Sequence, residues 1–117
     1  MASAHSLIAS DRIEGSAVVR PATGQRIGSI QRLMLDKLSG TVAYAVLTFG
    51  GFLGFGEKHF PLPWAALKYS PKWEAYELDL TEEQLREAPQ YERGEEYDWG
   101  DRPKQAELQR FYHPYGY

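Results

Sequence analysis

The chain contains no cysteine among its 117 residues. Disulfide bonds, thiol catalysis and cysteine-ligated metal sites are therefore excluded. This absence agrees with a reducing compartment, where disulfides are rare. The sequence also lacks an apolar run near the ~18 residues of a membrane span, and its N-terminus lacks the features of a signal peptide. These absences predict a cytoplasmic protein without a transmembrane segment.

A concentrated stretch of positive charge is also missing. Residues 1–81 carry eight basic and seven acidic side chains, whereas residues 82–117 carry five basic and nine acidic ones. Nucleic-acid binders usually present a basic stripe, because contacts to phosphates supply much of their affinity. The basic cluster that comes nearest to such a stripe is scattered among turns and strands: Arg12, Arg20, Arg26 and Arg32. We therefore expect no direct binding of nucleic acid.

Short β-strands separated by turn residues dominate what is present. Glycine, proline, aspartate and serine mark turns, and clusters of these residues recur here between apolar segments. Many short strands within about 70 residues are typical of a small barrel or sandwich. The predicted strands cover residues 13–20, 27–36, 42–49, 59–64, 67–69 and 75–80.

The second of these segments is ambiguous by periodicity alone. Its apolar residues Ile27, Ile30, Leu33 and Met34 fit a helix as well as a strand. Gly28 and the flanking turns favour a strand, and the change of phase near residues 31–32 predicts a β-bulge.

The third segment, residues 42–49, is apolar on both faces. A strand of this kind needs a cover on its second face, from another element or another subunit. The fourth segment contains Pro61 and Pro63, which predict an edge strand or a strand entry because proline donates no hydrogen bond to a sheet. We expect eight side chains to point inward: Val18, Ile30, Leu35, Val46, Leu62, Trp64, Leu78 and Leu80.

The C-terminal part of the chain differs in composition. Thr81 and Gln84 form a capping-box pattern, which predicts a short helix that ends before Pro89. Residues 88–117 are acidic and rich in aromatic side chains, unlike most disordered segments. Residues 104–112 could form a helix that presents Leu108, Phe111 and Tyr112. Such a tail is expected to pack against its own barrel or against a partner.

No pattern of residues predicts chemistry. The glycine-rich loop at residues 50–58 lacks the Gly-Lys-Ser/Thr sequence of a phosphate-binding loop, because Glu57 separates Gly56 from Lys58. Three histidines lie too far apart for a metal pair, and Glu57 and His59 are interpreted as a solvated face. We expect no catalytic residue, no cofactor and no metal site. The histidines are His5, His59 and His113.

A set of glycine, aliphatic and proline residues resembles the PRC-barrel family over about residues 8–85. The residues that carry the resemblance are Gly24, Ile27, Gly28, Ile30, Asp36, Ser39, Gly40, Tyr44, Ala45, Val46, Leu47, Gly50, Gly51, Phe52, Leu53, Gly54, Gly56, Lys58, Pro61, Pro63 and Trp64. Known members include the cytoplasmic domain of the photosynthetic reaction centre H subunit and the C-terminal half of a ribosome maturation factor. This chain resembles the stand-alone bacterial members instead.

The resemblance implies a mostly antiparallel β-barrel, with one short helix, that acts as a docking module without catalytic residues. We expect the barrel domain over residues 8–87 and an acidic, aromatic-rich extension over residues 88–117. The predicted function is a non-catalytic protein-interaction module that self-associates, most simply as a homodimer. Phe52, Leu53 and Phe55 on the glycine loop are the predicted partner interface. The alternative is an assembly factor associated with the ribosome or with RNA.

Overall fold

A computed structural model describes residues 7–49, 58–91 and 102–117 of the chain. Its elements are two short helices, α1 (Ser10–Ile13) and α2 (Glu82–Arg86), a longer helix α3 (Arg102–Tyr112), and six strands. Short 3-10 turns cover Trp64–Ala66 and His113–Tyr115. The strands are β1 (Ala17–Val19), β2 (Arg26–Leu35), β3 (Val42–Thr48), β4 (His59–Pro63), β5 (Leu67–Ser70) and β6 (Ala75–Leu78).

The six strands form one sheet in the order β4-β3-β2-β1-β6-β5. Strands β4 and β5 are consecutive in the chain, yet they lie at opposite edges of this sheet. Only the turn Trp64–Ala66 separates them. The sheet must therefore curl to bring its two edges together at this turn, and the result is a half-barrel, which confirms the predicted mostly β, barrel-like fold.

The pairings confirm the expectation of a mostly antiparallel barrel, with one exception. Strand β1 pairs with β6 in parallel, whereas the other four pairings are antiparallel. If all five pairings were antiparallel, the two edge strands of a six-stranded sheet would run in opposite directions. With four antiparallel pairings and one parallel pairing, β4 and β5 instead run in the same direction across the sheet.

Strand β2 confirms the strand interpretation of residues 27–36 and the predicted bulge. Its register with β3 shifts between Ile30 and Arg32 and again between Met34 and Leu35. Each shift changes which face the following residues occupy. The second shift explains why the inward prediction for Leu35 was wrong: its side chain is 56% exposed.

The first predicted strand begins later than expected. Residues 10–13 form α1, and β1 starts at Ala17. Gly15 adopts a left-handed φ of 86°, and the Ser16 hydroxyl donates to the Arg12 carbonyl at 3.2 Å. These local features complete a helical turn before the strand, and Ile13 is buried from that turn.

The core agrees with most of the inward predictions. The prediction is confirmed for six of the eight side chains, which are buried, and Trp64 is partly buried against the same core. The six buried side chains are Val18, Ile30, Val46, Leu62, Leu78 and Leu80. The capping box is also confirmed, since Thr81 Oγ1 accepts from the Gln84 N–H and Gln84 Oε1 accepts from the Thr81 N–H.

Both faces of β3 are buried within this single chain. Tyr44 and Val46 lie on one face, Ala45 and Leu47 lie on the other, and all four are at most 3% exposed. Helix α3 packs against the neighbouring strand β4 and contributes Leu108 and Tyr112 to the same hydrophobic core. The C-terminal tail therefore contributes to the core that buries β3 and β4, and its helix agrees with the predicted one.

Candidate functional site at the two sheet edges

The β4 edge, meaning strand β4 with Tyr91 and α3 packed on it, is closed by backbone pairing. Tyr91 and His59 exchange two backbone hydrogen bonds, with N···O distances of 2.7 and 2.9 Å. The backbone groups of His59 consequently point away from β3. The backbone groups of successive residues alternate in direction along an antiparallel strand. The backbone groups of Pro61 and Pro63 therefore also point away from β3, whereas those of Phe60 and Leu62 point toward it.

The two prolines thus stand where a strand edge would otherwise expose N–H donors. Proline has no N–H group, so no ladder bond to β3 is lost and no outward donor is left at these positions. This arrangement protects the edge from pairing with another strand. It confirms the prediction of an edge strand and shows why its prolines are tolerated.

Helix α3 lies against the β4 edge through a narrow apolar stripe. Leu108 is 4% exposed and Tyr112 is fully buried, and their i, i+4 spacing places them on one face of the helix. Phe111 stacks edge-on against Tyr112 at a ring separation of 4.9 Å and contacts Tyr115 at 5.9 Å. Glu107, Gln109 and Arg110 are exposed. The helix is therefore amphipathic, as its place on an apolar surface requires.

The hydroxyl group of Tyr112 is the least satisfied polar group at this edge. It is buried and has no hydrogen-bond partner among the described residues. Burial raises the pKa of Tyr112 well above its ordinary value of 10.0, and the neighbouring Tyr115 adds to this increase. The neutral hydroxyl is therefore strongly favoured in the folded protein.

The β5 edge, meaning strand β5 with its neighbours Trp64 and Tyr76, is open by comparison. Among the described residues, β5 pairs only with β6. Tyr69 is 53% exposed and packs edge-on against Tyr76 at a ring separation of 5.3 Å, and the ring of Trp64 lies 5.6 Å from that of Tyr76. Burial, and to a lesser extent Tyr69, raises the pKa of Tyr76. The three rings form an aromatic stripe next to an unpaired strand edge.

The turn that follows β5 is held by one tryptophan. The Trp73 backbone N–H donates to Ser70 Oγ at 3.3 Å, and its indole N–H donates to the Pro21 carbonyl at 3.4 Å. Lys72 Nζ lies 4.5 Å from the ring centroid, within range of a cation–π contact. These contacts fix β5 to the turn before β2.

The hairpin between β2 and β3 presents a second exposed apolar patch. Asp36 Oδ1 accepts from the backbone N–H groups of Leu38 and Ser39 at 2.8 and 3.1 Å, which orders the loop. Leu38 is nevertheless 94% exposed, and Leu35 lies beside it on β2. A side chain held on an ordered loop loses little freedom when it is buried by a partner.

The residues predicted for the partner interface lie outside the part of the chain that the structure describes. Phe52, Leu53, Phe55 and Glu57 fall outside the described residues. His59 lies on β4, and His113 is exposed after α3. Within residues 7–49, 58–91 and 102–117, no group of three histidine, aspartate or glutamate side chains could hold a metal ion.

Sequence reasoning missed the pairing of Tyr91 with β4 and the stripe around Tyr69. The pairing of Tyr91 has no local signal, because a single bridge residue shows no periodicity. Tyr69 could have been found as an aromatic residue in a short strand next to a turn.

Comparison with known proteins agrees with this architecture. The model of the PRC-barrel domain family matches residues 6–85, which include all six strands. A comparison with curated proteins finds no match for this chain. None of the helices among the described residues is long and apolar enough to cross a membrane. Helix α3 lies outside the matched residues.

Proposed function

Because this chain belongs to the PRC-barrel family, we propose that it is a non-catalytic protein-interaction module that self-associates. Family membership suggests a non-catalytic module in general. The observation that carries the proposal is the β4 edge, where the barrel buries Leu108 and Tyr112 of a helix outside the matched residues. A surface that binds an amphipathic helix within its own chain has the apolar character of a helix-binding groove.

The proposed self-association is a homodimer whose interface includes Phe52, Leu53 and Phe55. Three large apolar side chains within four residues of a glycine-rich loop support this choice. Two-fold pairing is the commonest way in which identical chains bury such a patch. The apolar second face of β3, which also suggested a dimer, is covered within the chain, so the loop residues carry this part of the proposal.

Light scattering on the full-length protein tests the self-association. At tens of micromolar, roughly the range where a micromolar dimer is populated, we expect twice the monomer mass of 13.3 kDa. Phe52→Asp should return the protein to the monomer mass, because it places a charge in the interface. Leu7→Asp, at a position that is 81% exposed, is the matched control and should leave the dimer intact. A monomer at all concentrations would contradict the dimer.

The alternative role in RNA or ribosome assembly is addressed with the same samples. RNA binding through phosphates would be retained at low salt and lost as salt rises. We expect no retention, since the chain carries no concentrated basic stripe. Salt-dependent retention of RNA would favour the assembly-factor role over the protein-interaction module.

A further inference from the structure

We infer that the β4 edge is a docking site for an amphipathic helix of a partner protein, and that α3 occupies it as a displaceable intramolecular ligand. The inference rests on the proposed interaction function and names the kind of partner. The expected partner helix carries an aliphatic side chain and, four residues later, an aromatic one, because these are the positions of Leu108 and Tyr112.

The first supporting observation is how narrowly α3 is attached. Of the seven residues from Ala106 to Tyr112, only Leu108 and Tyr112 are buried, and Phe111 is partly buried. Beyond the helix, Tyr115 and Tyr117 also pack, partly buried, against the core. The six strands of the sheet are joined by backbone ladders, whereas α3 meets β4 through side chains. Release of α3 together with Tyr115 and Tyr117 would break side-chain contacts but no strand pairing.

The second observation is the length of chain before α3. Ten residues separate Tyr91, which is hydrogen-bonded to β4, from Arg102 at the start of the helix. Ten residues span at most about 35 Å when extended. The sequence is therefore long enough for the helix to move away from β4 while Tyr91 stays in place.

The third observation is the buried hydroxyl of Tyr112, which has no hydrogen-bond partner among the described residues. A buried polar group without a partner weakens the complex that contains it. A partner helix with phenylalanine at this position avoids the penalty and should bind about fivefold tighter than α3 itself. The intramolecular helix is thus an imperfect ligand that a better one can replace.

The covalent connection of α3 to the barrel through residues 92–101 determines how strongly α3 competes with a free helix. A short connection of this kind gives the attached helix an effective concentration of about millimolar. A free copy of the helix should therefore bind the wild-type protein poorly and bind tightly only when α3 has been released.

The experiment uses the full chain and a fluorescein-labelled peptide of residues 102–117 as the probe. Fluorescence anisotropy measures its binding to the wild type, to Leu108→Asp and to Gln109→Asp. Leu108→Asp should bind the peptide at least tenfold tighter than the wild type does, because its own helix is released. Gln109 is exposed on the same helix, so Gln109→Asp is the matched control and should behave as the wild type.

Two variants of the peptide test the chemistry of the site. A Tyr112→Phe peptide should bind the Leu108→Asp protein about fivefold tighter than the native peptide. A Leu108→Asp peptide should not bind. Absence of binding by the native peptide to a folded Leu108→Asp protein would overturn the inference.

Native-state hydrogen exchange on the wild type covers the case in which Leu108→Asp fails to fold. A displaceable α3 should exchange its amide protons through a local opening, at least tenfold faster than the amides of β2 and β3. Exchange of α3 only together with these strands would show that the helix is an integral part of the core and would overturn the inference.

The dimer measurement separates this inference from the proposed function. If Leu108→Asp binds the peptide while the protein is monomeric at all concentrations, the docking site stands and self-association fails. If the dimer survives but no variant binds the peptide, the docking site fails alone. Loss of a wild-type dimer in Leu108→Asp would identify a second copy as the occupant and overturn the assignment to a partner protein.

Discussion

The two edge strands of the sheet are covered by other parts of the chain to different extents. At the β4 edge, prolines stand at the outward positions, Tyr91 forms a backbone bridge and α3 adds an apolar cover. At the β5 edge, a four-residue strand leaves Lys68 and Tyr69 exposed. Phe60 on β4 is fully buried, whereas Tyr69 on β5 is about half exposed.

This difference indicates how a curled, incompletely closed sheet avoids uncontrolled pairing. The longer edge strand is protected by proline and by other elements, whereas the shorter one is limited by its length and by a lysine. The β4 edge therefore contributes more to stability, and the β5 edge leaves more surface for contacts with other molecules. The following measurements test whether the two edges differ in this way.

The largest effect is expected from truncating an aromatic side chain at each edge. Phe60→Ala should lower the free energy of unfolding by about 3–5 kcal/mol, because it removes a fully buried ring that packs on Phe49. Tyr69→Ala should lower it by less than about 1.5 kcal/mol, since the ring that is lost is 53% exposed and packs on Tyr76. Urea denaturation measures both changes. Equal losses would show that the two edges contribute alike.

A substitution at Gly24 tests the contacts through which Trp73 fixes β5 to the turn before β2. Its φ of +72° is left-handed, and an added Cβ would lie 2.4 Å from the Trp73 ring. Gly40 has a similar φ of +78° with nothing within 4 Å. Gly24→Ala should therefore be about 1–3 kcal/mol more destabilising than Gly40→Ala, the excess being the clash with Trp73. Thermal unfolding of the two variants gives the difference, and equal melting temperatures would show that Trp73 moves aside freely.

Alkaline pH should weaken the β4 edge in particular. Burial raises the pKa of Tyr112 in the folded state, whereas in the unfolded state it titrates near 10.0. Above pH 10 the unfolded chain loses this proton and the folded protein keeps it, so the free energy of unfolding falls as pH rises. The slope from this group is at most about 1.4 kcal/mol per pH unit. Urea denaturation between pH 9 and pH 11 measures it.

In that titration, Tyr112→Phe is the control, because it removes one titrating group and should reduce the slope. Tyr76, whose pKa burial also raises, should account for part of the slope that remains. A slope that is unaltered in Tyr112→Phe would assign the alkaline loss of stability to other groups.

The smallest effect is expected from the same variant at neutral pH. Tyr112→Phe removes a buried hydroxyl without a partner among the described residues and keeps the ring. It should raise the free energy of unfolding by about 1 kcal/mol. Differential scanning calorimetry checks this increase. A decrease would show that the hydroxyl is hydrogen-bonded in solution.

Local sequence determined much of the fold because the relevant signals are short-range. The capping box of Thr81 and Gln84, the hairpin glycine Gly40 and the prolines of β4 each act within a few residues. The alternation of residues 75–80 gave the inward direction of Leu78 and Leu80 correctly. The pattern of glycines, aliphatic residues and prolines was sufficient to identify the PRC-barrel family.

Tertiary structure alone decided how the edges are completed. The second register shift in β2 turned Leu35 outward, and no local pattern marks its position. The parallel pairing of β1 with β6 joins residues more than fifty positions apart in the chain, so no local signal marks it. Composition left open whether the tail packs on its own barrel or on a partner. The packing of Leu108 and Tyr112 against β4 settled that choice for α3, because it joins residues more than forty positions apart in the chain.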